Sequence, residues 1–356
     1  MKKSYTFIKK LKVKPAENDK QVTIYDIAAK LKISPSTVSR ALNNAKYVNK
    51  VTKKLVKDEA EKLGYKPNSF AVGLRNNQSN TIGILISRIN RPFNSVLISG
   101  VEKTARQAGY NVIICQSNDS YENEVTGAEA LLSSRVVGLI ASLSMETENF
   151  DHFQSFFDAK TPVVFVDRVP NLDSYKVVAD DFRAGYNATQ HLIKKGCKRI
   201  ALLVGSLQRN VYSDRKNGYV QALLDNNLPV DESLTLMLKT LSTEESEKAT
   251  KKLLSLPNPP DGIFSTNDTA AAAAIITAKK LGFSIPKQLK IIGFNNDYIS
   301  TIVEPSLSTI AHPAEKMGII AAEKILQHLN KNTEMDTDVS EITILKTSLI
   351  ERDSTR

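Results

Sequence analysis

The chain has 356 residues, 41% of them hydrophobic and 24% charged, a composition that supports buried cores and excludes general disorder. Its formal net charge of +10 is carried at the front: residues 1–80 hold 18 of the 48 Lys and Arg against 6 of the 38 Asp and Glu, so the remainder is slightly acidic. Two distant cysteines, Cys115 and Cys197, exclude a zinc-finger or disulfide framework, and no stretch approaches the roughly 18–20 apolar residues of a membrane span, which points to a cytoplasmic protein.

A basic segment on a near-neutral body is the footprint of a polyanion-binding module, since each Lys or Arg placed on a phosphate releases counterions. A solubilising tail is the alternative on charge alone. Residues 1–20 lack a sustained helical or strand period and read as a basic flexible extension; their opening is too weakly apolar for a signal peptide.

From Val22 the pattern changes. Thr23 is a good N-cap with Asp26 three positions on, and Ile24, Ile27, Ala28 and Leu31 follow at helical spacing, which predicts a helix over 24–31. After a turn at Lys32 and Ile33, Ser34 caps a second helix that starts at Pro35. A third helix is expected at about 50–63, carrying Val51, Leu55, Val56, Ala60 and Leu63 and stopping at Gly64. Together these form a helix-turn-helix unit over 21–67. On the second helix Val38, Ala41 and Leu42 turn inward, leaving Pro35, Ser36, Ser39, Arg40 and Asn43 outward. Small hydroxyl side chains permit close approach, and an outward Arg reaches guanine O6 and N7 in a major groove. A solvated surface helix is the alternative for this window taken alone.

Residues 68–79, NSFAVGLRNNQS, read as a linker, although Ala71, Val72 and Leu74 are apolar within a potential helical turn. From Asn80, short apolar strands alternate with amphipathic helices: TIGILIS (81–87), YNVIICQ (110–116), VVGLIAS (136–142), PVVFVD (162–167), RIALLVG (199–205), DGIFSTN (261–267) and LKIIGFN (289–295), with helical stretches such as 94–107, 182–195 and 269–281. This is the texture of parallel, doubly wound α/β sheets, and seven strands divide more naturally into two lobes than one. Ligands of such sheets bind outside the carboxyl ends of the strands.

Three motifs at the front, T-I-x-D-I-A (23–28), S-P-S-T-V-S-R-A-L-N (34–43) and G-Y-x-P-N (64–68), resemble the headpiece of the lactose-repressor/galactose-repressor family of bacterial transcription regulators. The similarity continues in order through V-V-x-D-D (177–181), H-L-I-x-x-G-C-K-R-I-A (191–201), N-D-x-x-A (267–271), I-I-G-F-N (291–295) and P-x-L-S-T-I (305–310), covering about 22–351.

The resemblance implies an all-α helix-turn-helix headpiece and a two-lobed, periplasmic-binding-protein-like α/β body. It implies DNA contacts by Thr23, Ser34, Pro35, Ser36, Thr37, Ser39, Arg40 and Asn43, and a hinge in which Leu74 wedges into the minor groove. It places three lobe crossings near 177–180, 308–311 and 336–340, with lobe 1 at about 80–177 and 310–336 and lobe 2 at about 180–308 and 340–352. Effector contacts are expected from Phe93, Asn94, Arg209, Arg215, Asn267, Asp268 and Asn295. Asn295 stands where the family usually has Asp, so either a neutral amide serves there or the ligand differs, and Asn94 stands where a second aromatic is common; a carbohydrate is the expected ligand class.

The implied partners are operator DNA, a small-molecule effector and a second copy of the chain, with no membrane. Twofold symmetry doubles a small headpiece's reading frame to a pseudopalindrome, and the final ERDSTR lacks the apolar heptads of a tetramerising coiled coil. The chain carries no G-x-G-x-x-G after the first strand, no P-loop, no G-x-S-x-G and no clustered metal ligands. Neither catalysis nor a cofactor is therefore expected; an α/β enzyme with an accessory DNA-binding domain is the competing class.

Overall fold

The computed structural model describes residues 22–65, 79–331 and 341–356. The chain divides into two compact units, Met1–Val72 and Gly73–Arg356. The proposed extension at 1–20, the hinge with Leu74 and the expected crossing at 336–340 all lie outside the described residues.

The first unit holds α1 (Ile24–Leu31), α2 (Pro35–Leu42) and α3 (Lys50–Lys62). The Thr23 backbone N–H and hydroxyl both donate to the Asp26 carboxylate at 2.7 Å, fixing the start of α1. Lys32 in the left-handed region (φ 54°) turns the chain into α2, and Gly64 (φ 67°) ends α3. Ile27, Ala28, Val38, Ala41, Val56 and Ala60 form the core of this small unit. Val51 and Leu55, apolar on the same helix, are instead 67% and 54% exposed. They occupy a stripe about 140° around the helix from Val56 and Ala60, and α1 and α2 cover only one stripe.

The second unit contains β1 (Thr81–Ile86), α4 (Pro92–Gln107), β2 (Asn111–Gln116), α5 (Tyr121–Ser133), β3 (Gly138–Ala141), α6 (Asp151–Asp158), β4 (Val163–Val166), β5 (Tyr175–Ala179), α7 (Asp181–Lys194), β6 (Ile200–Val204), α8 (Asn210–Asp225), β7 (Thr235–Met237), α9 (Thr243–Leu254), β8 (Gly262–Ser265), α10 (Asp268–Lys280), β9 (Lys290–Asn295), α11 (Ile299–Ile302), β10 (Ser308–Ala311), α12 (Ala314–Lys331), β11 (Glu341–Leu345) and β12 (Ser348–Ile350). One sheet runs β11-β5-β4-β3-β1-β2 and is parallel throughout; the other runs β12-β10-β9-β8-β6-β7 with only β12 antiparallel. Burial on both faces explains the unbroken apolar runs of the central strands. In β1, Ile82, Ile84 and Ile86 pack toward α4 and α12, while Leu85 packs with Leu131, Phe153 and Phe156 from α5 and α6.

The chain passes between lobes after β5 at Asp180, after β10 at His312 and Pro313, and between β11 and β12 at Lys346 and Thr347. Two expected lobe boundaries are thereby corrected. Residues 308–311 form a strand wholly within the second sheet, and 341–345 add a strand to the first rather than the second lobe. The latter segment, EITIL, exposes Ile342 and Ile344, so its pattern does not specify which sheet edge it joins.

Helices α7 and α8 touch backbone to backbone. A Cβ on Gly185 would stand 2.2 Å from the Arg215 carbonyl oxygen, and one on Gly218 would stand 2.1 Å from that of Phe182. This close approach sets the register of Arg215 against the start of α7.

Candidate functional site

On the first unit, Ser34 organises the start of α2. Its Oγ accepts from the Thr37 backbone N–H at 3.1 Å and lies 2.8 Å from the hydroxyls of both Ser36 and Thr37. Pro35 occupies the first turn and Val38 and Ala41 are buried beneath, so the hydroxyl cluster sits at the helix N-terminus, where backbone N–H groups favour anions. Arg40 is exposed one turn on, its guanidinium 5.7 Å from the ring centre of Tyr47, itself 77% exposed. Asn43 donates its amide to the Ser39 carbonyl at 2.8 Å, and Thr23 is engaged with Asp26. Thus Ser34, Pro35, Ser36, Thr37, Ser39 and Arg40 share one short helix and its cap, while Thr23 opens α1. Tyr47, in the loop after α2, escaped the sequence reading; an exposed aromatic seven residues from an outward Arg was the available signal.

In the second unit a polar pocket lies at the carboxyl ends of both sheets. Phe93, Asn94, Arg215, Asn267 and Asn295 all line it, joined by Ser87, Arg91, Asp119, Met145, Asp167, Arg168, Tyr212 and Thr266 among others. Asn94 is buried, its amide donating to Ser87 Oγ and the Arg88 carbonyl, and Phe93 meets His312 edge-on at 4.6 Å. Asn267 caps α10 by accepting from the Ala270 N–H at 2.7 Å.

Two expected effector residues do not reach the pocket lining. Arg209 is buried and donates to the Thr147 carbonyl across the lobes at 2.5 Å. Asp268 lies beneath the surface, accepting from Thr309 Oγ1 and the Asp297 N–H, both at 2.7 Å; burial pushes its carboxyl well above the usual range. Spacing put both residues at strand ends, but only side-chain packing separates a residue lining the pocket from one supporting it.

Arg215 carries the tightest set of contacts. It donates through Nε to Asp181 at 2.7 Å and through Nη1 to the Thr266 carbonyl at 3.0 Å, with its guanidinium 3.6 Å above the Phe294 ring centre. Burial raises the Asp181 carboxyl to about 7 despite the pull of Arg215. Opposite, Asp119 receives Arg168 at 2.6 Å and Arg88 at 3.3 Å. Burial works against its charge, but the two guanidiniums outweigh it and hold the carboxyl below its ordinary value. Burial likewise opposes the charge of Arg168, yet Tyr212, Asp119 and Asp167 more than compensate and raise its pKa.

Several non-glycine residues around the pocket adopt positive φ: Asp119 at 67°, Asp167 at 60° and Asn295 at 110°. Such conformations cost free energy and concentrate at ligand sites. Contacts close the lobes over the pocket: Arg91 donates to the Thr240 carbonyl at 3.1 Å, Arg168 to the Tyr212 hydroxyl at 3.3 Å, and Asn210 binds the Asp167 carbonyl and the Val169 N–H. Asp119, Asp167, Arg168 and Tyr212 were not singled out from sequence, although Asp167 and Arg168 directly follow β4 and Asp119 lies three residues past β2, both strands whose carboxyl ends face the crevice.

No group of His, Cys, Asp and Glu among the described residues could hold a metal ion, and no described helix is long and apolar enough to cross a membrane.

Residues 79–351 match the family described as periplasmic binding proteins and sugar binding domain of LacI family, and residues 23–68 match bacterial regulatory proteins, lacI family. Catabolite control protein A of Priestia megaterium is 32% identical over 314 residues, 88% of this chain and 94% of that protein. A solved periplasmic binding protein/LacI transcriptional regulator from Alkaliphilus metalliredigens QYMF, complexed with D-xylulofuranose, is similar with a TM-score of 0.68 at 29% identity, covering 78% of this chain and all of that one. The lac repressor dimer bound to operator and an anti-inducer shares the fold, with a TM-score of 0.81 at 24% identity over 94% of this chain and 99% of that one.

Proposed function

Because the chain belongs to the lacI family of bacterial transcription regulators, we propose that it is a repressor which binds a pseudopalindromic operator as a homodimer under the control of a sugar or sugar derivative in the interlobe pocket. The observation that carries the DNA half is α2: its apolar residues are buried, its N-terminus presents the Ser34, Ser36 and Thr37 hydroxyls, and Arg40 stands exposed beside Tyr47. Phosphate oxygens suit the hydroxyls and the helix terminus, and a guanine edge suits Arg40.

For the effector half, the pocket combines carboxylate and amide groups with the Phe93 and Tyr212 rings, the mix that hydroxyl-bearing rings need. A structurally similar regulator is complexed with a sugar. For the dimer, both lobes expose large apolar side chains, among them Val96 and Ile114 on the first and Ile276, Tyr298 and Ile302 on the second, surface that self-association would cover.

The test is selection of binding sites from random duplex DNA by the full chain, followed by titration of the selected site with and without a sugar panel. A twofold-symmetric consensus whose affinity changes with one sugar is the expected result. Enrichment of no consensus, or an affinity indifferent to every sugar, would remove the corresponding half of the reading.

A further inference from the structure

We propose that Arg209 is a latch that holds the two lobes closed, and that Glu124, buried in the opposite lobe, positions the loop that receives it. The reading concerns closure alone and stands whatever ligand the pocket takes.

Arg209 caps α8 of the second lobe and lies outside the pocket lining, as does Glu124 on α5 of the first. The Arg209 guanidinium crosses to the Thr147 carbonyl, and its Nε has no hydrogen-bond partner among the described residues. One bond to a neutral carbonyl is a poor return for taking a guanidinium out of water. Burial is the largest influence on Arg209 and lowers its pKa; Glu124 opposes it most, ahead of the repulsion from Arg168 and the pull of Glu148. Counter-charge for the crossing therefore comes chiefly from a carboxylate that reaches Arg209 through Thr147.

The receiving loop is built around that carboxylate. Glu124 is wholly buried and accepts from the Ser144 backbone N–H at 2.5 Å and from the Thr147 hydroxyl at 2.8 Å, while His152 at the start of α6 sets Nε2 3.1 Å from it. The Ser144 and Thr147 hydroxyls lie 2.8 Å apart, and the Tyr121 hydroxyl donates to Asn149 at 2.5 Å, so residues 144–149 are tied to α5 at both ends. All these ties lie within the first lobe and survive its separation from the second, leaving the Thr147 carbonyl ready to receive Arg209 again. On the other side, Asn210 crosses beside Arg209, and the pocket residue Arg215 is carried by the same helix. A shift of α8 that frees the latch also moves a pocket wall.

The experiment reads the distance between the lobes with spin labels at Ala130→Cys on α5 and Lys248→Cys on α9, both exposed, in a full-length Cys115→Ser chain whose remaining Cys197 is buried. Labelled chain is diluted into unlabelled chain so that only pairs within one subunit are measured. In the parent one distance should dominate, and Arg209→Gln should raise a second population about tenfold or more. Glu124→Gln should do the same without touching Arg209, and so should Thr147→Val, which removes the hydroxyl tie to Glu124 but keeps the carbonyl that receives the guanidinium. The Glu124→Gln, Arg209→Gln double variant should open no further than Arg209→Gln alone, because both act through one contact. An Arg209→Gln chain that keeps the parent's single distance overturns the latch. Opening by Arg209→Gln but by neither Glu124→Gln nor Thr147→Val, or effects that add in the double variant, overturns the role of Glu124; if Glu124→Gln does not fold, Thr147→Val alone decides that point.

Discussion

The guanidinium of Arg215 and the carboxylate of Asp181 meet at 2.7 Å with both side chains almost wholly buried, one on α8 and the other at the first position of α7 just past a lobe crossing. The pair therefore ties a pocket-lining residue to the segment that must move if the lobes reorient. Its partners on the other side, the Thr266 carbonyl and the Phe294 ring, fix the guanidinium in one plane.

Removing one member of such a pair leaves an uncompensated buried charge, so Asp181→Ala should cost about 3–5 kcal/mol of stability, whereas Asp181→Leu combined with Arg215→Met should cost far less. Urea denaturation of the single and double variants measures this. The double variant should also lose stabilisation by sugar, because Arg215 lines the pocket. A double-variant cost equal to the sum of the costs of Asp181→Leu and Arg215→Met alone would mean the pair is not coupled.

Arg40→Ala should weaken operator binding by about 1–3 kcal/mol and relax preference at one base pair, if the exposed guanidinium reads a base. Competition binding against operators altered one position at a time distinguishes this from a phosphate contact. An equal loss on every sequence would assign Arg40 to the backbone.

Gly218→Ala would drive a Cβ to 2.1 Å from the Phe182 carbonyl oxygen and 2.6 Å from the Tyr186 nitrogen. Helices α7 and α8 must separate to admit it, at about 1–3 kcal/mol. Since Arg215 lies one turn earlier on α8, ligand affinity should fall along with the melting temperature, and differential scanning calorimetry with and without sugar reads both.

The His312 side chain is buried at the second lobe crossing, neither ring nitrogen having a hydrogen-bond partner among the described residues and Nε2 standing 3.9 Å from Asp167. Burial, assisted by Arg215, holds its pKa well below the ordinary value. An unfolded imidazole takes up a proton near pH 6.5 and the folded one does not, so this residue's contribution is complete above about 6.5 and is lost as pH falls below it. His312→Phe, which keeps a ring against Phe93, should therefore gain stability relative to the parent as the pH is lowered from 7 to 5. A parent-minus-variant difference that stays flat across that range would refute the assignment.

Local signals in the sequence determined much of the architecture: Thr23 and Asp26, Ser34 and Pro35, and Gly64 set the ends of the three small helices, and unbroken apolar runs such as TIGILI and IALLV marked strands buried on both faces. Each of these depends on residues within a few positions of one another. The end of a strand likewise pointed to Asn267 as a pocket residue, and the family resemblance to Asn295. Tertiary structure alone decided that Val51 and Leu55 face outward, that residues 341–345 join the first sheet, and that Arg209 and Asp268 support the lobes while Asp119, Arg168 and Tyr212 line the pocket. Those outcomes depend on which distant segment covers a given face, a competition among packing partners that spacing along the chain does not record.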